Sequence, residues 1–284
     1  MLNGACGMQP PIWIGRADWN DCLNLNCFSW DPNESFQTTE NKGEGSKAES
    51  LMIAGLFVVT GKDYVALCKQ LAKEAANSSE GTIAGLAEND YLAEANRMQQ
   101  AVDQMSEAVK QHGWDGEWFL RAYDFFGNNN PWVIIGETVA GRGNDAWNHY
   151  TKILPSYVEE KYQTLHKVEP YVNCQMVAGK DAARPGEGKN SWLTGTAAWM
   201  WYTVSEFILG IKPDYEGLLI DPCLPSTAKE YEVVRKFRGG EYHIVIKNPD
   251  GKEKGVSRIT VDGKLISGTI VPCSPGKHEV HVEM

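Results

Sequence analysis

The chain has 284 residues, of which 42% are hydrophobic and 23% charged, and a formal net charge of −10. That length suits one large domain or two ordinary ones and can bury a sizeable core without staples. The acidic balance argues against a nucleic-acid backbone as partner, and no run approaches the roughly 18 apolar residues of a membrane span.

Residues 1–15 are punctuated by Gly and Pro, and 16–46 read as loop-rich. From Glu49 the pattern turns helical. Leu51, Met52, Leu56 and Val59 share a face, and Gly61 is expected to stop that helix. A second helix is expected from Asp63 to Ala75, then a polar connection over 77–88. A long helix follows from Asp90 to Gln111, ended by Gly113. Another opens at Trp132, with Pro131 suited to its first turn, and runs to Val139. Residues 145–161 and 168–179 also read as helical. Ser191 to Leu209 is an apolar helix closed by Gly210.

Beyond Pro213 the period changes. Leu218-Leu219-Ile220 is a short strand, and the runs 231–237 and 241–247 alternate around Arg238-Gly239-Gly240, a hairpin signal. Runs 258–261 and 264–266 flank Asp262-Gly263, a pair suited to a type I′ turn. His278 to Val282 alternates again. Helices first and strands last predict a helical domain over 1–212 and an antiparallel β domain over 213–284.

All ten tryptophans lie between Trp13 and Trp201, which marks the same boundary. The seven cysteines form no CxxC pair and no zinc spacing. With no secretory leader read at the start, free thiols in a reducing cytoplasm are the expectation.

Three polar constellations can carry chemistry. Arg16-Ala-Asp-Trp-Asn-Asp-Cys-Leu-Asn24 sets two carboxylates beside a Trp. A carboxyl desolvated by an aromatic face suits a general acid; equally, Asp and Asn here can form Asx turns in a surface loop. Lys189-Asn-Ser-Trp-Leu-Thr-Gly-Thr196 has the makings of an anion site at a helix start, or of ordinary capping by Ser191 or Thr194. The third is Glu169-Pro170-Tyr171 with Gln175. His112, His149 and His166 lack metal-ligand spacing and read as solvated helix positions, while His243, His278 and His281 read as structural.

The first of these blocks, followed by Glu34-Ser-Phe-Gln-Thr-Thr39, resembles the cellobiose phosphorylases of glycoside hydrolase family 94. So do Gly116-Glu-Trp-Phe-Leu-Arg-Ala-Tyr-Asp124, Glu169-Pro-Tyr171, Asn190-Ser-Trp-Leu-Thr-Gly-Thr196, Ile211-Lys-Pro-Asp-Tyr-Glu-Gly217 and Ile220-Asp-Pro-Cys223. The resemblance implies a partial (α/α)₆ barrel followed by the β domain. It implies phosphorolysis of a β-1,4 disaccharide, cellobiose foremost, to α-glucose 1-phosphate and glucose, with inversion. Carried over by position, Asp21 is the general acid, and Trp19 and Arg16 contact sugar. Gln175, Thr194 and Gly195 bind phosphate. Inorganic phosphate is co-substrate; no cofactor or metal is implied, and a homodimer is the assembly suggested.

The chain departs from that family in two places. The family's N-terminal β-sandwich, linker and early barrel helices have no counterpart ahead of Ile14. Asp124-Phe-Phe-Gly127 also runs directly into Asn129-Asn-Pro-Trp132, where the family has several dozen residues. Acceptor-subsite residues and a phosphate-binding His fall in that gap, and Asn128 stands in the place of the His. Two other readings follow: a noncatalytic remnant that at most binds sugar, and an inverting hydrolase with Glu137 or Glu169 as base.

Overall fold

The computed structural model describes residues 51–77, 87–114, 116, 119, 125–127, 129–157, 164, 166–174, 176–178, 186–189, 191 and 195–284. Helices come first: α1 (Leu51–Asn77) and α2 (Glu88–His112), then strand β1 (Phe125–Gly127), α3 (Asn129–Val139) and α4 (Gly143–Lys152). Strands β2 (Met176–Ala178) and β3 (Gly188–Lys189) precede α5 (Thr196–Tyr202), which runs on into a π-helical turn over Thr203–Ile208.

The two helices expected over 49–75 are one. Gly61 does not stop the helix; it lies buried inside α1, where any Cβ would overlap the Val102 side chain of α2. Gly55 does the same toward α3, since a Cβ would meet the Trp132 carbonyl oxygen at 2.7 Å. Sequence shows only the cost of glycine in a helix, about 1 kcal/mol against Ala, whereas the packing uses its missing side chain. Met52, Ala54, Val58, Val65, Cys68 and Ala72 complete the buried stripe at helical spacing. By length and composition α1 is apolar enough to cross a membrane. Its glycine-bearing stripe instead packs on α2 and α3, as a core helix does.

Two other helical expectations change. The segment expected over 145–161 is interrupted: α4 closes at Lys152 ahead of Pro155, a residue that disfavours helix before it, and helix resumes over 155–157. The stretch 168–179 gives a turn and strand β2 instead, with Pro170 and a left-handed Tyr171 (φ 64°) breaking any helix. The last helix begins at Thr196, five residues later than its apolar run suggests.

The C-terminal strands follow the alternation closely. They are β4 (Ile211–Pro213), β5 (Gly217–Ile220), β6 (Glu230–Phe237), β7 (Gly240–Lys247), β8 (Arg258–Val261), β9 (Lys264–Leu265), β10 (Ile270–Pro272) and β11 (Gly276–Glu283). Asp262 and Gly263, both at positive φ (51° and 77°), make the expected tight turn. The strands form a three-stranded sheet β10-β5-β4 and a five-stranded sheet β6-β7-β11-β8-β9.

The expected antiparallel domain is mixed, because β11 pairs with β7 in parallel, from Gly276↔Gly240 to Glu283↔Lys247. A parallel neighbour needs a long crossover. The chain between Lys247 and Gly276 supplies one by adding the β8–β9 hairpin and then lending β10 to the other sheet.

One apolar core unites helices and strands. Ile134, Ala146, Tyr150, Met200 and Ile208 pack in a cluster with Leu218, Ile220, Tyr242, Ile244, Ile246, Val271 and Val280. A second cluster joins α1, α2 and α3 through Ala54, Val58, Val102, Met105, Val109 and Val133.

Candidate functional site

Of the residues expected to carry chemistry, Arg16, Trp19, Asp21, Gln175 and Thr194 lie outside the described residues, as does Asn128. Gly195 is described, and so are the strands that adjoin Asn128 and Gln175 in sequence. β1, β2 and β3 form a three-stranded antiparallel sheet. Gly127 pairs with Met176, and Met176 with Lys189, so these three stand in one row at one end of it. In sequence Asn128 follows Gly127, Gln175 precedes Met176, and Asn190 follows Lys189. Consecutive Cα atoms are about 3.8 Å apart and paired strands about 4.8 Å. Three strand ends distant in sequence are therefore neighbours in space.

Gly195 is the N-cap of α5 (φ −84°, ψ −2°), and no side chain caps the helix. The capping expected of Ser191 is not made, since it lies five residues ahead of the first helical residue. The Gly195 carbonyl accepts the Trp199 N–H at 2.9 Å. A Cβ on Gly195 would stand 3.5 Å from the Trp199 ring. Trp199 in turn meets Trp132 of α3 edge to face, with centroids 5.6 Å apart.

The segment leading to β2 is tied down by two buried side chains that the sequence did not single out. His166, read as solvated, is buried. Its Nδ1 faces the Gly186 carbonyl at 3.3 Å, and its Nε2 lies 3.9 Å from the Cys174 Sγ. The Gly188 N–H donates to the His166 carbonyl at 2.8 Å. A side chain on Gly188 would meet both members of this knot, His166 Cε1 at 3.0 Å and Cys174 Sγ at 3.1 Å. The knot thus joins β3 to the residue preceding Gln175. Between the two, the Val172 N–H donates to the Glu169 carbonyl at 3.2 Å, closing a turn with Pro170 second and left-handed Tyr171 third, the type II pattern.

A second buried polar pair lies between α3 and α4. Glu137 holds His149 Nδ1 at 2.9 Å, and both are buried, which corrects the solvated reading of His149. Burial pushes the Glu137 carboxyl above the usual carboxylate range, and the bond to His149 opposes it. Trp114 lies against the imidazole (4.1 Å between centroids) and Phe119 meets it edge to face at 4.5 Å. The Phe119 N–H donates to Asn130 Oδ1 at 3.2 Å. A cavity of about 10 Å³ beside Glu137, bounded by Gly55, Ser106, Gly136 and Arg142, is room for about one water. A general base must reach substrate-bound water, and Glu137 is sealed, so its place in the molecule is that of a brace between helices.

In the β module Ser274 Oγ lies 3.0 Å from His278 Nε2, and His278 Nδ1 lies 2.8 Å from Asp262. This has the connectivity of a nucleophile triad. Yet Nε2 also faces the Ser274 carbonyl at 3.2 Å, which requires it to donate. Asp262 raises the His278 pKa above the ordinary imidazole value. With a proton on each nitrogen the ring has no lone pair for Ser274, and the arrangement is a clamp on the turn. Among the described residues no group of His, Cys, Asp and Glu could hold a metal.

The model of the glycosyl hydrolase 94 superfamily catalytic domain matches residues 4–129 and 124–210. The match is in two stretches that overlap at residues 124–129. The chain is 30% identical over 326 residues to the N,N'-diacetylchitobiose phosphorylase of Vibrio proteolyticus, covering 92% of this chain and 38% of that protein. The alignment is longer than the chain, so the relative carries residues absent here. The solabiose phosphorylase of Paenibacillus borealis is 38% identical over 153 residues, 53% of this chain and 20% of that protein. The 3-O-beta-D-glucopyranosyl-beta-D-glucuronide phosphorylase of the same organism is 33% identical over 182 residues, 61% of this chain and 24% of that protein. The chain spans at most about two fifths of the length of these relatives.

Proposed function

The chain belongs to the glycosyl hydrolase 94 superfamily, and we propose that it carries part of the machinery of a disaccharide phosphorylase. In this reading Asp21 protonates the glycosidic oxygen as the bond to the anomeric carbon breaks. A phosphate oxygen forms the new bond on the opposite face, so a β-linked sugar leaves as the α-1-phosphate. Trp19 and Arg16 hold the sugar. Phosphate is already a nucleophilic anion, so it needs donors in place of a base, and Gln175, Thr194 and the Gly195 N–H are of that type.

The observation that supports it is the row Gly127–Met176–Lys189, because Asn128, Gln175 and Asn190 are the sequence neighbours of those three residues. The helices α1 to α5 belong, in this proposal, to an (α/α)₆ barrel, with a domain boundary near residue 212 and a cytoplasmic setting. Cellobiose is the substrate that the sequence blocks suggest. The relatives widen the choice, since their names cover diacetylchitobiose, solabiose and a glucosyl-glucuronide.

The test is to incubate the purified chain with phosphate and each disaccharide and to measure sugar 1-phosphate. Release that Asp21→Asn abolishes supports the phosphorylase. Free monosaccharide without sugar phosphate points to hydrolysis and sinks it. The split family match favours a second reading, a remnant that binds without turnover. Its signature is heat on titration with phosphate or sugar and no product.

A further inference from the structure

Among the described residues, β6 is the one long strand at the edge of a sheet. It has eight residues, whereas the other edge strands, β1, β3, β4, β9 and β10, have two or three each. Proteins keep edges short, or blunt them with proline or a bulge, because an open edge is a template for another strand. β6 has neither device. It holds no proline, and its register with β7 runs unbroken from Glu230↔Lys247 to Phe237↔Gly240. Among the described strands, β7 is its only hydrogen-bonded neighbour. Arg238 and Gly239, both at positive φ, make a two-residue turn, so Phe237 and Gly240 close the hairpin as a hydrogen-bonded pair. Such pairs alternate along an antiparallel ladder. Phe237, Arg235, Val233 and Tyr231 therefore direct their backbone groups at β7, and Glu230, Glu232, Val234 and Lys236 direct theirs at the open edge. The same four are exposed, Val234 to 62%.

We propose that this edge pairs with the same edge of a second copy of the chain, antiparallel about a two-fold axis at Val234, so that the two five-stranded sheets become one. The charges on the edge select that partner. Pairing about Val234 sets Glu232 opposite Lys236 of the second copy, and Lys236 opposite its Glu232. Both members of each pair have outward backbone groups, as a hydrogen-bonded rung requires, and their unlike charges share the solvent face. Edge charges ordinarily repel a second strand; here their alternating sign makes them complementary. Val234 meets its own copy and covers apolar surface left open in the single chain. On the inner face Tyr231 stands opposite Phe237. Glu232 lies 3.3 Å from His243, and Lys236 Nζ 3.7 Å from Glu241, yet both side chains stay mostly exposed and within reach of a neighbouring strand. An axis at Val233 would instead set Glu232 against the apolar Val234. The inference is independent of the phosphorylase reading.

The experiment is sedimentation velocity of the whole chain across a concentration series. The parent is expected to dimerise reversibly. Glu232→Lys and Lys236→Glu each set like charges opposite one another at both rungs, and each is expected to weaken the dimer roughly ten- to a hundredfold. Mixed in equal amounts, the two variants are expected to associate as the parent does, because a heterodimer of the two has unlike charges at both rungs again. Misfolding of either variant could not produce that rescue. Val234→Pro removes an N–H that faces away from β7, and is expected to abolish the dimer while the far-ultraviolet circular dichroism stays that of the parent. A parent that is monomeric at every concentration overturns the proposal. So does a dimer that the single variants leave intact, or one that their mixture fails to restore.

Discussion

The residues most exposed to a test are those whose backbones touch. Gly143 opens α4, and a Cβ there would overlap the Leu224 carbonyl oxygen, which belongs to the segment after β5. Overpacking of this kind costs about 1–3 kcal/mol or more when backbone must shift, so Gly143→Ala is expected to lower the unfolding free energy from urea titration by that amount. The Glu137–His149 pair makes a different prediction. Removing one partner of a buried pair costs about 3–5 kcal/mol, and His149→Ala leaves the carboxylate alone. Burial already raises the Glu137 pKa, so its ionisation opposes folding as pH rises through and above the ordinary carboxylate value. The His149→Ala defect should therefore shrink as pH falls toward 4.5, read as urea midpoints across pH. His278 runs the other way from an acid with a lowered pKa. Its pKa is raised by Asp262, so the clamp's contribution is full below about 6.5 and fades as pH climbs through the raised value. His278→Phe should flatten that part of the pH–stability profile.

At the scale of elements, Gly61 separates two readings of one residue. A glycine that merely interrupts a helix is improved by Ala, by about 1 kcal/mol. A glycine at a helix crossing is not, and Val102, fully buried, has nowhere to move. Gly61→Ala is expected to lose about 1 kcal/mol net in urea unfolding, while a gain would show that α1 and α2 do not meet there. Helix existence, the β6–β7 hairpin and the Asp262-Gly263 turn were legible in sequence, because each is set by local period or by a φ requirement. The join of two expected helices into α1 was not, since only the partner surface distinguishes a stop from a contact. The strand at 176–178 was missed for a related reason. Its partners are Phe125–Gly127 and Gly188–Lys189, and no local pattern announces a three-residue strand whose pairing is remote.

At the scale of the molecule, the helical and β parts share their core across residue 212. Ile134, Met200 and Ile208 pack in one cluster with Ile220, Tyr242 and Ile244. Polar ties reinforce the join: Asn144 Oδ1 accepts from the Ser226 N–H at 2.9 Å, and the Asn144 N–H donates to Glu253 at 2.8 Å. Calorimetry is accordingly expected to show one transition spanning helices α3 to α5 and the strands. Two well-separated transitions would mean that the boundary read from composition is also an energetic one.

By itself the sequence determined the family and the order of the long helices before the β module, because motif blocks and periodicities are local properties of the chain. Only the tertiary structure decided which glycines are contacts, which histidines are buried braces, and that one strand pair is parallel. It alone set Gly127, Met176 and Lys189 in a row. The reason is the same in each case: burial, close approach and strand pairing depend on which distant surface arrives, and a side chain's neighbours in space are not its neighbours in the chain.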